Sequence, residues 1–200
     1  MSTLDDLNPS EMLRPSYRKE YDLRRSRLCD ELILLNTNVH LLGQIIRFDR
    51  ELFEAPQALF WYLTQLMLRE SVIIATRVWG DRRRDASTLD KFGAWLIRDA
   101  LLATHRQAMR KRLDSACPSQ QLVFAMDDMR TMRNVQLAHL AKGNVLGLAA
   151  PAVTVSFKTI RAVADALGEY FNAASIGATQ LTFRTSRRSF LGNFVEPRYA

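Results

Sequence analysis

The stretch LVFAMDDMRTMRNVQLAHL, residues 122–140, decides how this chain is read. Its apolar residues recur at three- and four-residue steps, the period of an α-helix buried along one side. With Arg133 set at zero on a helical wheel, Leu122, Met126, Met129, Leu137 and Leu140 all fall within roughly 40° of it. A guanidinium therefore occupies the centre of an apolar stripe, where an unpaired charge is costly. The residues alone leave two readings open. Either the arginine stem packs while its head reaches water or a carboxylate such as Glu70 or Asp127, or the guanidinium has a chemical task there.

His139 follows Arg133 by six residues. A six-residue step turns a helix by about 600°, which leaves the two side chains roughly 120° apart and about 9 Å apart along the axis. That differs from the i, i+4 spacing that sets two ligands over one metal ion. A guanidinium and an imidazole suit phosphate chemistry, because one neutralises developing charge and the other moves protons. A lone histidine at the edge of such a stripe is also a common structural residue, so spacing alone yields a suggestive pair.

Outward from this stretch, prolines at 9, 15, 56, 118, 151 and 197 leave long uninterrupted segments. A first helix is expected from about Tyr17 to Phe48, striped by Leu28, Leu32, Leu35, Val39, Leu42 and Ile46, with Gly43 a place to bend or stop. Pro56 suits the first turn of a second helix that ends near Trp79-Gly80. Being apolar nearly all round (Leu59, Phe60, Leu63, Leu66, Met67, Ile73, Ile74), it is expected to be the central one. After a charged turn, Gly80 to Asp85, Ser87 and Asp90 read as the capping box of a third helix whose inner face is Leu89, Phe92, Leu96 and Ala100. Pro118 and Ser119 open a fourth helix that carries Arg133, and Lys142-Gly143-Asn144 ends it. Thr154 or Ser156 starts a fifth, striped by Phe157, Ile160, Ala164, Leu167 and Phe171 and stopped by Gly177. No segment reads as a β-sheet. The expected fold is all-α, an up-and-down bundle of about five helices. Residues 1–16 are expected as a flexible N-terminus, 17–177 as the helical domain and 178–200 as a basic tail.

At 200 residues, nearly half of them apolar, the chain suffices for one well-buried domain. Its 28 Lys and Arg against 21 Asp and Glu give a formal charge of +7, which favours an acidic partner, nucleic acid ahead of lipid. Basic residues cluster at Arg24-Arg25-Arg27, Arg82-Arg83-Arg84, Arg106 with Arg110-Lys111-Arg112, and Arg184 with Arg187-Arg188. Most charge runs are solvated faces, and sequence does not say which clusters share one. The only two cysteines, Cys29 and Cys117, lack ligand spacing and read as reduced thiols. No apolar run is long enough to span a bilayer, and residues 1–7 lack the basic start and apolar core of a secretory leader, so a cytoplasmic location is expected. Glycine-rich phosphate loops, metal-ligand clusters and serine-nucleophile elbows are absent from the sequence, and neither a metal nor a cofactor is expected.

The segment Met132 to His139 resembles the signature of the HEPN superfamily: an arginine, a polar residue directly after it, and a histidine after four to six intervening positions. A second stretch, Ser71 to Asp81 followed by Ser87-Thr88-Leu89, is similar to the helix-end and serine-leucine pattern of the abortive-infection U (AbiU-like) branch. With the order of helices, the resemblance covers roughly residues 25 to 175. Many family members carry an aspartate, others a tyrosine, two residues after the histidine; this chain has Ala141 there.

The resemblance implies an RNA-cleaving toxin or phage-defence effector that needs no metal, with Arg133, Asn134 and His139 as catalytic residues. His139 would transfer protons, Arg133 clamp the phosphate, and Asn134 orient the sugar, the phosphate or His139. In the family, two copies pack so that both motifs line one cleft, so a homodimer is expected, with RNA as partner and an antitoxin protein as a candidate regulator. Candidate RNA contacts are Arg130, Lys142, Arg82, Arg83, Arg84, Arg187 and Arg188. The alternative is a non-catalytic helical RNA- or protein-binding module in which Arg133 and His139 support an interface.

Overall fold

The long proline-free stretches of the sequence become the helices. The computed structural model describes residues 8–47, 57–80, 88–141 and 155–177, and in them the chain forms α1 (Pro9–Met12), α2 (Arg18–Arg47), α3 (Gln57–Val78), α4 (Leu89–Trp95), α5 (Ala103–Ala116), α6 (Gln120–Ala141) and α7 (Phe157–Ala174). The fold is all-α. Its nearest approach to a strand among the described residues is an isolated bridge between Leu13 and Leu101.

Helix α7 is the centre of the bundle. It touches α2, α3, α4, α5 and α6, and it buries Ile160, Val163, Ala164, Leu167, Tyr170 and Phe171. The small residues Gly168, Ala173 and Ala174 are buried on it as well. Ser156 caps its start by accepting a hydrogen bond from the Thr159 amide at 3.1 Å, and Gly177 follows its end with φ of 92°. The expectation that the second helix would be central is corrected here. The first half of α3 leaves Leu59, Trp61, Tyr62 and Leu66 about half exposed or more, because the bundle covers only one side of it.

Gly43 does not end α2, which runs on to Arg47. It makes room for Phe157 at the start of α7, whose ring a Cβ at residue 43 would meet at 2.9 Å. The expected third helix is in fact two. After α4 the chain runs through one wide turn, Leu96–Ala100, extends at Leu101 and Leu102, and restarts as α5. Neither proline nor glycine marks this break. Leu101 is held instead by the N-terminal segment: the Arg14 amide donates to Ala100 O and the Leu102 amide to Met12 O, each at 2.9 Å. Residues 8–16, expected in a flexible N-terminus, thus pack onto the bundle. Asn8 and Glu11 form a capping box for α1, and Met12 and Leu13 are buried. The capping position of α4 falls to Thr88, without a side-chain hydrogen bond, and Asp90 accepts instead from the Gly80 amide at 3.3 Å.

No helix among the described residues is long and apolar enough to cross a membrane.

Candidate functional site

Helices α3 and α6 run antiparallel, since Thr76 meets Arg133 while Trp79, further along α3, meets Arg130, further back on α6. Met126 and Met129 on the apolar side of α6 are buried, as the stripe requires, and Arg133 is half-buried beside them. Neither carboxylate considered for it takes the guanidinium. Asp127 pairs with Arg130 at 2.5 Å, and Glu70 stands exposed on α3.

Arg133 is held by neutral oxygens. Its Nη1 donates to Thr76 Oγ1 at 3.3 Å, while Nε and Nη2 share Asn134 Oδ1 at 3.3 and 3.2 Å. The Thr76 hydroxyl has no exposed surface and donates its own proton back to Val72 O at 2.8 Å, which leaves its lone pairs to face the guanidinium. Of five N–H donors, three are engaged among the described residues. No carboxylate there cancels the charge, so the guanidinium retains both donors and charge for an anion.

Arg130 has a different place. Only 18 % of its side chain is exposed; Nη1 pairs with Asp127, and Nη2 donates to Trp79 O at 3.3 Å, closing the last turn of α3. Gly80 makes this possible. Its φ is 67°, and a Cβ there would lie 2.7 Å from Arg130 Nη2. Asp127, Arg130, Thr131 and Asn134 line an open depression of about 420 Å³ on the outer side of α6. Arg130 therefore borders the Asn134 side of the motif, but its charge is already paired.

The backbone of α6 continues through His139 to Ala141, while the His139 side chain lies outside what the structure describes. Lys142, Arg82, Arg83, Arg84, Arg187 and Arg188 also lie outside the described residues, as do Pro56, Ser87 and Lys142-Gly143-Asn144. Among the described residues no group of three His, Cys, Asp or Glu could hold a metal ion.

Sequence reasoning missed Thr76 as a partner of Arg133. The signal was present: a threonine follows four apolar residues, Val72 to Ala75, in a helix facing the bundle. Such a hydroxyl is satisfied by the carbonyl four residues back and still offers an acceptor. The contact also joins the two segments that carry the family resemblance, Ser71 to Asp81 and Met132 to His139.

No curated protein and no solved structure matches the chain. The sequence model of one family, described as AbiU2, matches residues 18–189 and so includes every helix from α2 to α7 together with the Thr76–Arg133 contact. This chain belongs to the AbiU2 family of HEPN domains.

Proposed function

We propose that this HEPN domain is a metal-independent endoribonuclease of the toxin or phage-defence type, cleaving RNA through the ribose 2′-hydroxyl in a cleft shared by two copies. The observation that carries the reading is the state of Arg133. A half-buried guanidinium, held by Thr76 and Asn134 with no carboxylate among its described partners, is an arginine prepared for an anion. RNA brings its own nucleophile. His139 removes the proton of the 2′-hydroxyl, whose oxygen forms the new bond to phosphorus. Arg133 neutralises charge on the pentacoordinate phosphorane. The 5′-oxygen leaves with a proton returned by a histidine of the paired motifs, and a cyclic phosphate remains.

The angular offset between Arg133 and His139 supports the homodimer. One regular helix does not converge both groups on a single atom, whereas two antiparallel copies bring four groups to one cleft. Asn134 serves this site by fixing the Arg133 fork through its side-chain oxygen. RNA is the substrate, an antitoxin protein a regulator, and the cytoplasm the compartment on this reading. The second reading, a non-catalytic RNA- or protein-binding module, is favoured by Ala141, which supplies no polar group beside the histidine.

The test is incubation of the purified protein with labelled transfer or ribosomal RNA in excess chelator, beside an Arg133→Ala/His139→Ala double variant. Cleavage by the unaltered protein alone, leaving cyclic-phosphate ends, is the expected result. A folded dimer that cuts no RNA over a broad panel supports the binding module instead.

A further inference from the structure

Four arginines among the described residues have a buried Nε without a hydrogen-bond partner: Arg18, Arg25, Arg69 and Arg130. Three of them are engaged elsewhere. Arg18 donates to Ser10 O, Arg130 to Asp127 and Trp79 O, and Arg25 lies over the Phe171 ring at 5.9 Å. Arg69 is half-buried on α3 and makes no hydrogen bond, ion pair or ring contact among the described residues. A guanidinium partly withdrawn from water with nothing to compensate it is costly, and an anionic ligand removes that cost.

Its position says which anion. Arg69 precedes Thr76 by seven residues, which places it about 20° round the helix from the hydroxyl that holds Arg133 and about 10 Å along the axis. Because α3 and α6 are antiparallel, that step leads toward the end of α6 that carries His139, itself about 9 Å beyond Arg133. Arg69 thus stands level with His139. Tyr62, seven residues further back on the same side, is 58 % exposed and offers a ring face.

We propose that Arg69 contacts a phosphodiester adjoining the one held by Arg133, and that Tyr62 stacks on a base of the same single-stranded RNA. The inference rests on the ribonuclease reading above. An aromatic ring and a cation in line along one helix suit a strand whose backbone is charged and whose bases are unstacked.

The experiment measures binding of a fluorescein-labelled, 2′-O-methyl single-stranded oligonucleotide, which cannot be cleaved, to the full chain over a range of salt. Arg69→Met, Tyr62→Leu and a control, Arg110→Met on the exposed side of α5, are compared with the unaltered protein. Arg69→Met is expected to weaken binding about tenfold and to reduce the slope of log K against log salt by about 0.7, the share of one phosphate contact. Tyr62→Leu is expected to lose about fivefold or more with the slope unchanged, because stacking releases no counterion. Arg110→Met changes neither.

An Arg69→Met protein that binds with the original slope, or that loses no more than Arg110→Met, overturns the proposal. So does dissociation of the dimer by Arg69→Met, which would make the residue part of a protein interface. If Arg69→Met melts, Arg69→Gln is read instead; it keeps hydrogen-bond donors, loses the charge and is expected to reduce the slope by the same share, and an unchanged slope overturns the proposal. Absence of RNA binding and cleavage by the unaltered protein overturns the ribonuclease reading itself. Cleavage with Arg69→Met indifferent overturns only the role of Arg69.

Discussion

Arg133, at the centre of the apolar side of α6, donates to the Thr76 hydroxyl on α3 at 3.3 Å, across 57 positions of sequence. The hydroxyl is buried and its own proton is committed to Val72 O, so it faces Arg133 as an acceptor. Thr76→Val keeps the volume and removes the acceptor, while Thr76→Ser keeps the acceptor. On the ribonuclease reading, Thr76→Val is expected to lower kcat/KM about tenfold, the worth of one lost hydrogen bond to a charged group, with Thr76→Ser near the original rate. Stability should fall by only about 1 kcal/mol, measured by urea unfolding. In an Arg133→Ala background, Thr76→Val should cost no further activity. Equal losses in both backgrounds would mean that Thr76 acts through packing instead.

Gly80 ends α3 at φ of 67° with Arg130 Nη2 lying where a Cβ would need space. Gly80→Ala is therefore expected to destabilise the fold by about 1–2 kcal/mol for the left-handed backbone alone, and to displace Arg130 from Trp79 O. Thermal or urea unfolding measures the first effect. Combining Gly80→Ala with Arg130→Ala separates the second: the pair should cost less than the sum of the single changes, because both act on one contact. Strict additivity would place the strain elsewhere.

How much of this was legible beforehand follows from what local sequence encodes. The α2 stripe from Leu28 to Leu42, the α7 stripe, the serine cap of α7 and the stop at Gly177 are written in spacing and in single residues, and they are found where expected; Ile46, read as the end of the α2 stripe, is 52 % exposed, and on α6 the described part of the stripe is Leu122, Met126 and Met129. The break at Leu101 is not. Two leucines extend there because the backbone of Met12 to Arg14 pairs with Ala100 to Leu102, and no helix breaker announces a tertiary contact. The same limit hid the centre of the bundle. Composition favoured α3, the most apolar helix, but contacts on several sides give that place to α7. At the candidate site, Arg133 and Asn134 were legible from the motif, and the resemblance to the HEPN superfamily agrees with the family match. The contact from Thr76 was not, because a buried threonine reads like its apolar neighbours until the helix facing it is known. Arg130, a candidate RNA contact, pairs with Asp127 three residues away, a partner that the i, i+3 spacing offers.

Burial raises the pKa of two phenols, Tyr21 and Tyr170, the latter to about 12. A group whose folded pKa lies above its unfolded value near 10 stabilises the fold fully below that value and loses the contribution as pH rises through the folded pKa. Stability is thus expected to decline between pH of about 10 and 12, at a slope of at most about 1.4 kcal/mol per unit for each phenol. Tyr170 meets Trp79 edge to face at 5.2 Å between ring centroids, so the decline bears on the end of α3 beside Arg130. Tyr170→Phe should flatten the profile measured by unfolding at a series of alkaline pH values. An unchanged profile would assign the alkaline loss to other groups.

Arg133 and His139 themselves separate catalysis from support of an interface. Arg133→Lys keeps one positive charge but loses the planar fork that shares Asn134 Oδ1 and reaches Thr76 at once. His139→Gln keeps a polar side chain of similar length and cannot shuttle protons near neutral pH. If the two residues do chemistry, each swap should lower kcat by at least about a hundredfold, the usual worth of a proton-transfer group or of a charge stabiliser. The unfolding midpoint and the sedimentation coefficient should stay close to those of the unaltered protein. Mixed dimers give a sharper result. When an Arg133→Lys chain is combined with a His139→Gln chain, each copy retains the group its partner lacks, and a shared cleft should recover part of the activity. Should either swap dissociate the dimer or melt the helices, the residue would be structural, and the binding-module reading would follow.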